Sequence, residues 1–472
     1  MPLNRRGFLA AATAVTSGAL LRAERASAAT TLAQAAERIR PYAANPWYWQ
    51  YKGQPVLLLG GSKDDNLFQI PDLEAHLDEI RAAGGNYIRN TMSDRRDGGF
   101  EAYPFLQLPD GAYDLGQWNP EYWARLDRML ALTRARDIIV QIEVWDRFDY
   151  SRDNWTPHPY NPANTRSYTA ESTGLAATYP KHPGANEQPF FFSTPEQRNI
   201  TPLLQVQQRF VDQVLARTLP QPHVLYCIDN ETSGDETWST YWATFIRERA
   251  ARAGVEVHVT EMWDDHDLRS QQHRRTYDHP DRYTFVDVSQ NNHQKGQAHW
   301  DNFQAVRAHL SPKPRPVNTV KTYGSDEGPY GTDIDGLQRW WRHLVAGAAA
   351  VRFHRPKSGL GLSTKAVASI RAGRKLESVV RPWTMTPANE RLQQRAADAA
   401  YLAATADGAC VLFFPAPGKV VLDLTPATRP LEARWISIDT GEWGPSTTWK
   451  AGAPLEVATP GDGLWVAVAT PR

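Results

Sequence analysis

The sequence predicts an α/β fold, a (β/α)₈ TIM barrel followed by a small antiparallel β-sandwich. Through most of the chain, short apolar runs alternate with segments of helical periodicity, as in parallel βα units. There are eight such runs, the number that this barrel requires. From about Ala396, short alternating runs separated by turn residues replace the helical segments. The 472 residues therefore divide into an N-terminal segment at 1–28, a barrel at 29–392 and a sandwich at 393–472.

The expected barrel strands are short apolar or β-branched runs. They lie at residues 55–60, 86–90, 138–144, 224–228, 255–260, 284–288, 317–320 and 349–353. Helices are expected where apolar residues recur every three or four positions. In 120–136, Pro120 suits the first turn, and Trp123, Leu126 and Leu130 share one face. The other expected helices are 75–83, 204–215, 241–253 and 337–346.

One connection, from Asp146 to about Thr201, is unusually long and has no convincing period. Such loops are uncommon in compact domains unless they serve a function, so this one is expected to form a wall of a cleft. In the C-terminal part, strands are expected at 410–414, 420–424, 433–438 and 464–469. The run Asp439-Thr440-Gly441-Glu442 is a hairpin signal.

The N-terminal segment, residues 1–28, resembles a twin-arginine export signal: Arg5 and Arg6 precede a small-residue apolar run at 10–21, with a cleavage site after Ala28. That run is shorter than the roughly 20 residues that a membrane span needs, so no stable membrane anchor is expected. The protein is expected to be exported, periplasmic or secreted, with the twin-arginine translocase as a partner during export.

The formal net charge of the chain is +0, and removing four Arg and one Glu with residues 1–28 lowers it by 3. A mildly acidic mature chain argues against a nucleic-acid partner. Cys227 lies in the fourth expected strand and Cys410 in a distant one, so two buried free thiols are expected rather than a disulfide.

Polar and aromatic residues follow almost every expected barrel strand. Because the carboxyl ends of barrel strands meet at one face, they should line a single cleft. Carboxylates, amides and flat aromatic faces together are typical of sugar recognition, with Trp145, Trp263 and Tyr323 as stacking faces. The strand-end residues are Ser62, Asp64, Asp65, Asn66, Asn90, Glu143, Trp145, Asp146, Arg147, Asp229, Asn230, Glu231, Glu261, Trp263, Asp264, Asp265, Gln290, Asn291, Asn292, His293, Lys321, Tyr323, His354 and Arg355.

The order of strands, Asn230-Glu231 at the end of the fourth and the C-terminal sandwich together resemble clan A glycoside hydrolases. The run from Asn45 to Gly53, NPWYWQYKG, resembles barrel proteins with a C-terminal domain of the collagen-binding type, the group that includes apiosidase-like enzymes. The resemblance implies that Glu231 is the general acid/base and that Asn230 hydrogen-bonds the sugar 2-hydroxyl.

The clan's nucleophile is a Glu that ends strand seven, but this sequence has Lys321 there. Glu261 is the first choice for a replacement; Glu327 or Asp326, and Glu143 or Asp146, are the others. Lys321 would hold a second carboxylate ionised, pair with a uronate, or serve as a structural ion-pair partner of Asp229 or Glu231. Retention requires the two carboxyl groups to be roughly 5–5.5 Å apart and inversion roughly 6.5–9.5 Å.

The expected function is cleavage of O-glycosidic bonds in a plant, algal or microbial glycan by a two-carboxylate mechanism. The predicted catalytic residues are Glu231 and Glu261; the predicted substrate-binding residues are Asp229, Asn230, Glu143, Trp145, Asp146, Trp263, Asn292, His293, Lys321, Tyr323 and His354. Two alternatives stay open: a non-catalytic glycan-binding barrel that lost the strand-seven carboxylate, and a uronate lyase with Lys321, His293 or Tyr323 as base. No metal or cofactor is expected, because clustered metal-ligand spacings and a Gly-rich phosphate loop are absent from the sequence.

Overall fold

The computed structural model describes residues 37–92, 95, 98–181 and 188–472. The expected export signal at 1–28 lies outside the described residues. Eight parallel strands form the barrel, and each falls in or overlaps one of the eight expected runs. They are β1 Leu58–Gly61, β2 Tyr87–Thr91, β3 Ile139–Asp146, β4 Val224–Asn230, β5 Val259–Thr260, β6 Val286–Asp287, β7 Val317–Thr322 and β8 Ala350–Phe353.

The barrel consists of two four-stranded parallel halves, in the orders β5-β4-β3-β2 and β6-β7-β8-β1. Backbone hydrogen bonds join the halves at both seams. The amide of Asn86 donates to the carbonyl of Leu59 at 2.9 Å, and the amide of Thr284 donates to that of Val259 at 3.0 Å. The carboxyl ends of all eight strands therefore surround one opening.

Eight helices of the outer layer follow the strands in order. The five expected helices are confirmed; three others, at 271–277, 296–310 and 364–379, were not predicted. The first of these is only 7 residues long, too short to show a helical period. The helices are α1 Leu73–Ala82, α2 Pro120–Ala135, α3 Thr201–Thr218, α4 Glu236–Arg252, α5 Gln271–Tyr277, α6 Gly296–Leu310, α7 Asp333–Val345 and α8 Thr364–Val379.

An antiparallel hairpin, Asn45–Tyr51 with Gln54–Val56, precedes the barrel. The expected first strand at 55–60 therefore covers parts of two separate strands. Its first residues belong to the hairpin, and its last residues belong to β1. The buried Trp49 of the hairpin reaches under the barrel, where its Nε1 donates to Asn318 Oδ1 of β7 at 2.9 Å. The hairpin thus packs on the amino-terminal side of the barrel, away from the strand-end opening.

The long connection between β3 and α3 contains short helical turns and an inward-facing cluster of aromatic rings. Within the described part, Tyr150 stacks on Phe190 with ring centroids 4.0 Å apart. Trp155 and Tyr160 lie buried beside this pair. The connection is thus held by its own packed core. Its short helices are Arg147–Tyr150, Arg152–Trp155, Ala170–Thr173 and Pro189–Phe192.

The C-terminal part is an antiparallel β-sandwich, as predicted. The expected hairpin is confirmed, because Asp439-Thr440-Gly441-Glu442 joins Leu431–Ser437 to its antiparallel partner Trp443–Trp449. The six-stranded sheet has the order Thr386–Pro387, Tyr401–Ala404, Cys410–Phe414, Trp465–Pro471, Leu431–Ser437, Trp443–Trp449; the other consists of Leu392–Gln393, Lys419–Asp423 and Pro454–Ala458.

Apolar packing joins the sandwich to the barrel. Trp341 of α7 stacks on Phe413 with ring centroids 6.0 Å apart, and Trp300 of α6 stacks on Tyr401 at 4.6 Å. Cys227 and Cys410 are both buried and free, as expected. Across the described ranges, no helix combines the length and the apolar character that a membrane crossing requires.

Candidate functional site

The centre of the strand-end opening is a cluster of Glu231, Lys321 and Tyr323. Glu231 directly follows β4 and has φ 44°, a left-handed conformation that non-glycine residues seldom adopt. Lys321 Nζ lies 2.7 Å from Glu231 Oε1, and the Tyr323 hydroxyl donates to the same oxygen at 2.6 Å. Both of these contacts are made by the Oε1 atom of Glu231. The Glu231 side chain is 16% exposed, so a ligand in the opening can reach it.

The cluster holds Glu231 as an anion. Burial alone would raise the pKa of Glu231, but the charge and hydrogen bond of Lys321, together with the Tyr323 hydroxyl, lower it to about 2. A general acid must carry its proton before the reaction begins. The acid role predicted for Glu231 is therefore not favoured by its surroundings, although its position at the end of β4 is as predicted.

Beneath this cluster, Arg89 of β2 connects three strands. Its Nη1 pairs with Asp65 at 2.7 Å, its Nε donates to Glu143 Oε2 at 2.7 Å, and its Nη2 donates to Asn230 Oδ1 at 2.8 Å. Lys321 donates to the same Asn230 oxygen. The predicted residues Glu143 and Asn230 are thus brought together under Glu231, with Glu143 completely buried.

Sequence reasoning did not select Arg89 for the site. One signal was available: an arginine in the middle of the apolar strand Tyr87–Thr91 must find buried partners, because an unpaired buried charge is costly. Asp65, one of the partners of Arg89, is itself held as an anion. Burial raises its pKa, but Arg89, His354, Arg355 and Arg352 together lower it well below its usual range.

Glu261, the predicted second carboxylate, lies inside the barrel wall. It is 1% exposed, and its Oε1 accepts the backbone N–H groups of Asp229 and Met262, each at 2.9 Å. Its Oε2 accepts the Ser239 hydroxyl at 2.5 Å. The role predicted for Glu261 is not favoured by this position, because the carboxyl group ties β5 to β4 and has no path to a ligand.

Asp229 lies beside Glu261 and is equally buried, with Arg147 Nε 3.3 Å from its Oδ2. Burial raises the pKa of both carboxyl groups. The nearby charge of Asp229 raises the pKa of Glu261 further, and that of Asp146 does the same for Asp229, because close carboxylates resist double ionisation. Asp146, also buried, accepts the Phe148 amide at 3.0 Å and pairs with Arg95 at 2.8 Å. Asp229, Glu261 and Asp146 are thus buried behind the opening, where their contacts are with the protein itself.

The two predicted tryptophan stacking faces are covered. Trp145 and Trp263 are each 1% exposed. Trp145 packs against Phe190 of the long connection, with ring centroids 5.6 Å apart. Trp263 donates from Nε1 to Thr276 of α5 at 2.8 Å, and Arg275 covers its ring. Neither indole offers a face to a sugar, because the elements that follow β3 and β5 fold over them.

A different set of rings borders the opening beside Glu231. Tyr323 stacks on the partly exposed Tyr330 at 4.4 Å, and His293 approaches Tyr330 edge-on at 5.5 Å. His293 also stacks on the exposed His266, with ring centroids 3.4 Å apart, and His354 lies 5.0 Å from Tyr323. Burial, with a contribution from His266, lowers the pKa of His293 to about 4, so its ring is neutral near pH 7.

Tyr330 and His266 were not among the predicted binding residues, because both lie in loops well beyond the strand ends. Asn292 was predicted to bind substrate, but its amide is occupied. It donates to the carbonyl of Lys321 and accepts the Tyr323 amide at 3.1 Å, so it joins the β6 loop to β7. Among the described residues, no group of three or more His, Cys, Asp or Glu could hold a metal ion.

Asp264 also reaches the opening. It follows Trp263, which forms a parallel bridge with Thr232, and its amide donates to the Thr232 carbonyl at 3.0 Å. Gln290 Nε2 donates to Asp264 Oδ1 at 3.3 Å. Burial, and then the nearby charge of Glu231, raise the pKa of Asp264 to about 7. The sequence placed Asp264 among the strand-end residues, after strand five, but it was not one of the predicted catalytic or substrate-binding residues.

Fold and site together define a (β/α)₈ barrel with a carboxylate-bearing strand-end cleft and a C-terminal sandwich. Neither a protein-family model nor a curated protein sequence matches the chain. Solved structures do match. A glycoside hydrolase family 5 protein from Bacteroides vulgatus is 12% identical with a TM-score of 0.63, covering 92% of this chain and 94% of its own.

A protein described as a glycoside hydrolase is 11% identical with a TM-score of 0.62, covering 93% of this chain and 98% of its own. A further Bacteroides vulgatus protein, assigned only provisionally as a glycoside hydrolase, is 10% identical with a TM-score of 0.58, covering 93% and 83%. At these identities the similarity establishes the fold. The expected TIM barrel is confirmed at that level, whereas the clan A relationship, the collagen-binding type of sandwich and the apiosidase-like group stay predictions.

Proposed function

We propose that this protein is a glycoside hydrolase that cleaves an O-glycosidic bond at the strand-end opening of its barrel. The observation that carries the proposal is the reachable carboxylate of Glu231 at the end of β4, oriented by Lys321 and Tyr323. A preorganised anion at the mouth of a barrel can stabilise positive charge at an anomeric carbon. Solved structures of similar fold include proteins described as glycoside hydrolases.

The substrate class follows from the surface around Glu231. Tyr330 and the neutral His293 present partly exposed rings, which suit the apolar face of a sugar ring. We propose a plant, algal or microbial oligo- or polysaccharide as substrate and an apiosidase-like relationship within the wider group. We also propose export by the twin-arginine route, based on the motif at residues 1–28.

One observation favours a second candidate, a non-catalytic glycan-binding protein. Lys321 stands where the resemblance implies a nucleophilic Glu, and it neutralises Glu231 at 2.7 Å. A barrel in which the catalytic carboxylate is neutralised by a lysine can still bind a sugar through its aromatic rings and hydrogen-bonding groups.

The first experiment is a product screen of the chain from residue 29 against plant and algal polysaccharides. It records reducing ends and ultraviolet absorbance together, with binding followed in parallel. We expect new reducing ends without absorbance. Glu231→Gln should lower the rate by about 100-fold or more, because an electrostatic or covalent partner of the transition state is lost. Glu248→Gln, an exposed substitution on α4, is the control and should leave the rate unchanged.

Each other outcome contradicts a distinct part of the proposal. Ultraviolet absorbance would indicate an unsaturated product and hence the uronate lyase. Retained binding without any product would indicate the non-catalytic glycan-binding protein. An equal rate for the wild-type protein and Glu231→Gln would show that the cleavage does not involve this cluster.

A further inference from the structure

The backbone places Asp264 and Glu231 at neighbouring positions of the barrel mouth. β4 and β5 are adjacent, and the Thr232–Trp263 bridge extends their pairing beyond the strands. Glu231 precedes one residue of this bridge, and Asp264 follows the other. The hydrogen bond from the Asp264 amide to the Thr232 carbonyl holds this register at 3.0 Å.

Asp264 differs in its surroundings from the buried strand-end carboxylates Glu143, Glu261 and Asp65. Glu143 is buried against Arg89, and Glu261 is enclosed by three donors. Asp65 lies among four cationic groups or histidines. Asp264, in contrast, is partly exposed, and in the described part of the chain no cationic nitrogen lies within 4.0 Å of it. Its described side-chain contact is the Gln290 amide at 3.3 Å.

The charges that face Asp264 favour its protonated form. Burial has the largest effect on its pKa; Glu231 and Asp265 raise the pKa further, while Lys321 and Arg147 lower it. Because Lys321 and Tyr323 hold Glu231 as an anion, the carboxyl group of Asp264 retains its proton up to about pH 7. The site thus contains one ionised and one protonated carboxyl group, the combination that glycoside hydrolysis needs.

We propose that Asp264 is the proton donor of the glycosidase reaction and that Glu231 is its ionised, nucleophilic partner. This assignment rests on the proposed function and reverses the role that the resemblance predicted for Glu231. No Glu at the end of β7 is then required, because Lys321 acts as the group that positions and stabilises the Glu231 carboxylate.

The reaction consists of two balanced steps. In the first, a Glu231 oxygen bonds to the anomeric carbon while the bond to the leaving oxygen breaks; the electron pair goes to that oxygen, which takes the Asp264 proton. In the second, a water oxygen bonds to the same carbon and its proton passes to Asp264. The bond to Glu231 breaks, and its electron pair returns to the carboxylate beside Lys321. A carboxylate with a pKa of about 2 is a weak base but a good leaving group, which favours this sequence over water activation by Glu231.

The test of catalysis compares Asp264→Asn with Asp267→Asn, an exposed acid in the same loop. We expect Asp264→Asn to lose about 100-fold or more in kcat/KM on the natural glycan but little on dinitrophenyl glycosides, which need no proton. Asp267→Asn should behave as wild type. With azide, Asp264→Gly should give a glycosyl azide of retained configuration and Glu231→Gly one of inverted configuration. Equal losses of Asp264→Asn on both substrates, or the opposite azide products, would overturn the assignment.

Two further readouts are taken on the wild-type protein, the first with a glycan substrate and the second without one. The wild-type rate on poor leaving groups should fall as pH rises through about 7, because only protonated Asp264 donates. In the protein without substrate, ¹³C NMR of labelled aspartate should show a carboxyl group with a midpoint near 7, assigned by its absence in Asp264→Asn. A midpoint near 4 would overturn the assignment even if hydrolysis is found. Absence of hydrolysis on every glycan would refute the proposed function instead.

Discussion

Replacement of Lys321 by Met isolates the electrostatics of the site without reference to a substrate. In the wild-type protein Lys321 and Tyr323 lower the pKa of Glu231 from its ordinary value of 4.5 to about 2, which corresponds to about 3.4 kcal/mol of stability. Because the folded pKa is the lower one, this stabilisation is present above about pH 4.5 and is lost as pH falls towards 2. Lys321→Met leaves the Glu231 carboxylate with the Tyr323 hydrogen bond and the more distant charge of Arg89, and the effect of burial then raises its pKa.

We therefore expect Lys321→Met to lower the free energy of unfolding by about 3–5 kcal/mol at pH 7, as for other buried pairs broken on one side. The difference from wild type should narrow by more than about 1 kcal/mol at pH 4, because the variant folds with Glu231 protonated while the wild-type pair weakens. Denaturant unfolding of both proteins at pH 7, 5.5 and 4 measures this.

Lys365→Met is the matched control. Lys365 pairs with Asp333 at 2.9 Å, but its side chain is 48% exposed, so its loss should cost less than about 1 kcal/mol at every pH. If Lys321→Met costs no more than this control, or if its cost is the same at pH 7 and pH 4, the ion pair with Glu231 does not have the strength that the geometry implies.

Two further predictions concern buried groups away from the site. Cys227 and Cys410 should react with a thiol reagent only after unfolding, because burial raises the pKa of Cys410 to about 12 and that of Cys227 well above its usual value. Because both thiols are free, the melting temperature should not change when reductant is added. Labelling of either thiol in the native state would contradict this prediction. His299 is buried 4.2 Å from the ring of His343, and burial, with His343 and the nearby Arg342 and Arg339, lowers its pKa well below 6.5. As pH falls, this histidine therefore takes up its proton first in the unfolded chain, and the free energy of unfolding decreases below about pH 6.5. In denaturant unfolding at pH 6.5, 5.5 and 4.5, His299→Leu should reduce this decrease by about 1.4 kcal/mol per pH unit. The same pH dependence for the variant and the wild type would show that His299 is protonated in the folded protein.

The order of elements could be predicted because its signals are local. An apolar run of five residues followed by a helical period identifies a βα unit without knowledge of its neighbours, and eight such units are the number that this barrel requires. The places where this failed are also local. α5 is too short to show a period, and the edge strand Trp443–Trp449 is largely exposed and polar, so it lacks alternation.

The sequence by itself also determined which side chains stand at the strand ends, including Glu231 after β4 and Lys321 in β7. Only the tertiary structure decided how they meet. Lys321 and Asn230 are 91 residues apart, and no local pattern reports that they share a hydrogen bond. The same holds for burial. Glu261 and Asp264 lie three residues apart, yet packing against β4 and Ser239 encloses the first and leaves the second partly open. Charge state depends on such enclosure and on distant partners, because desolvation and Coulomb energies are set by the folded surroundings of a group and not by its neighbours in the chain.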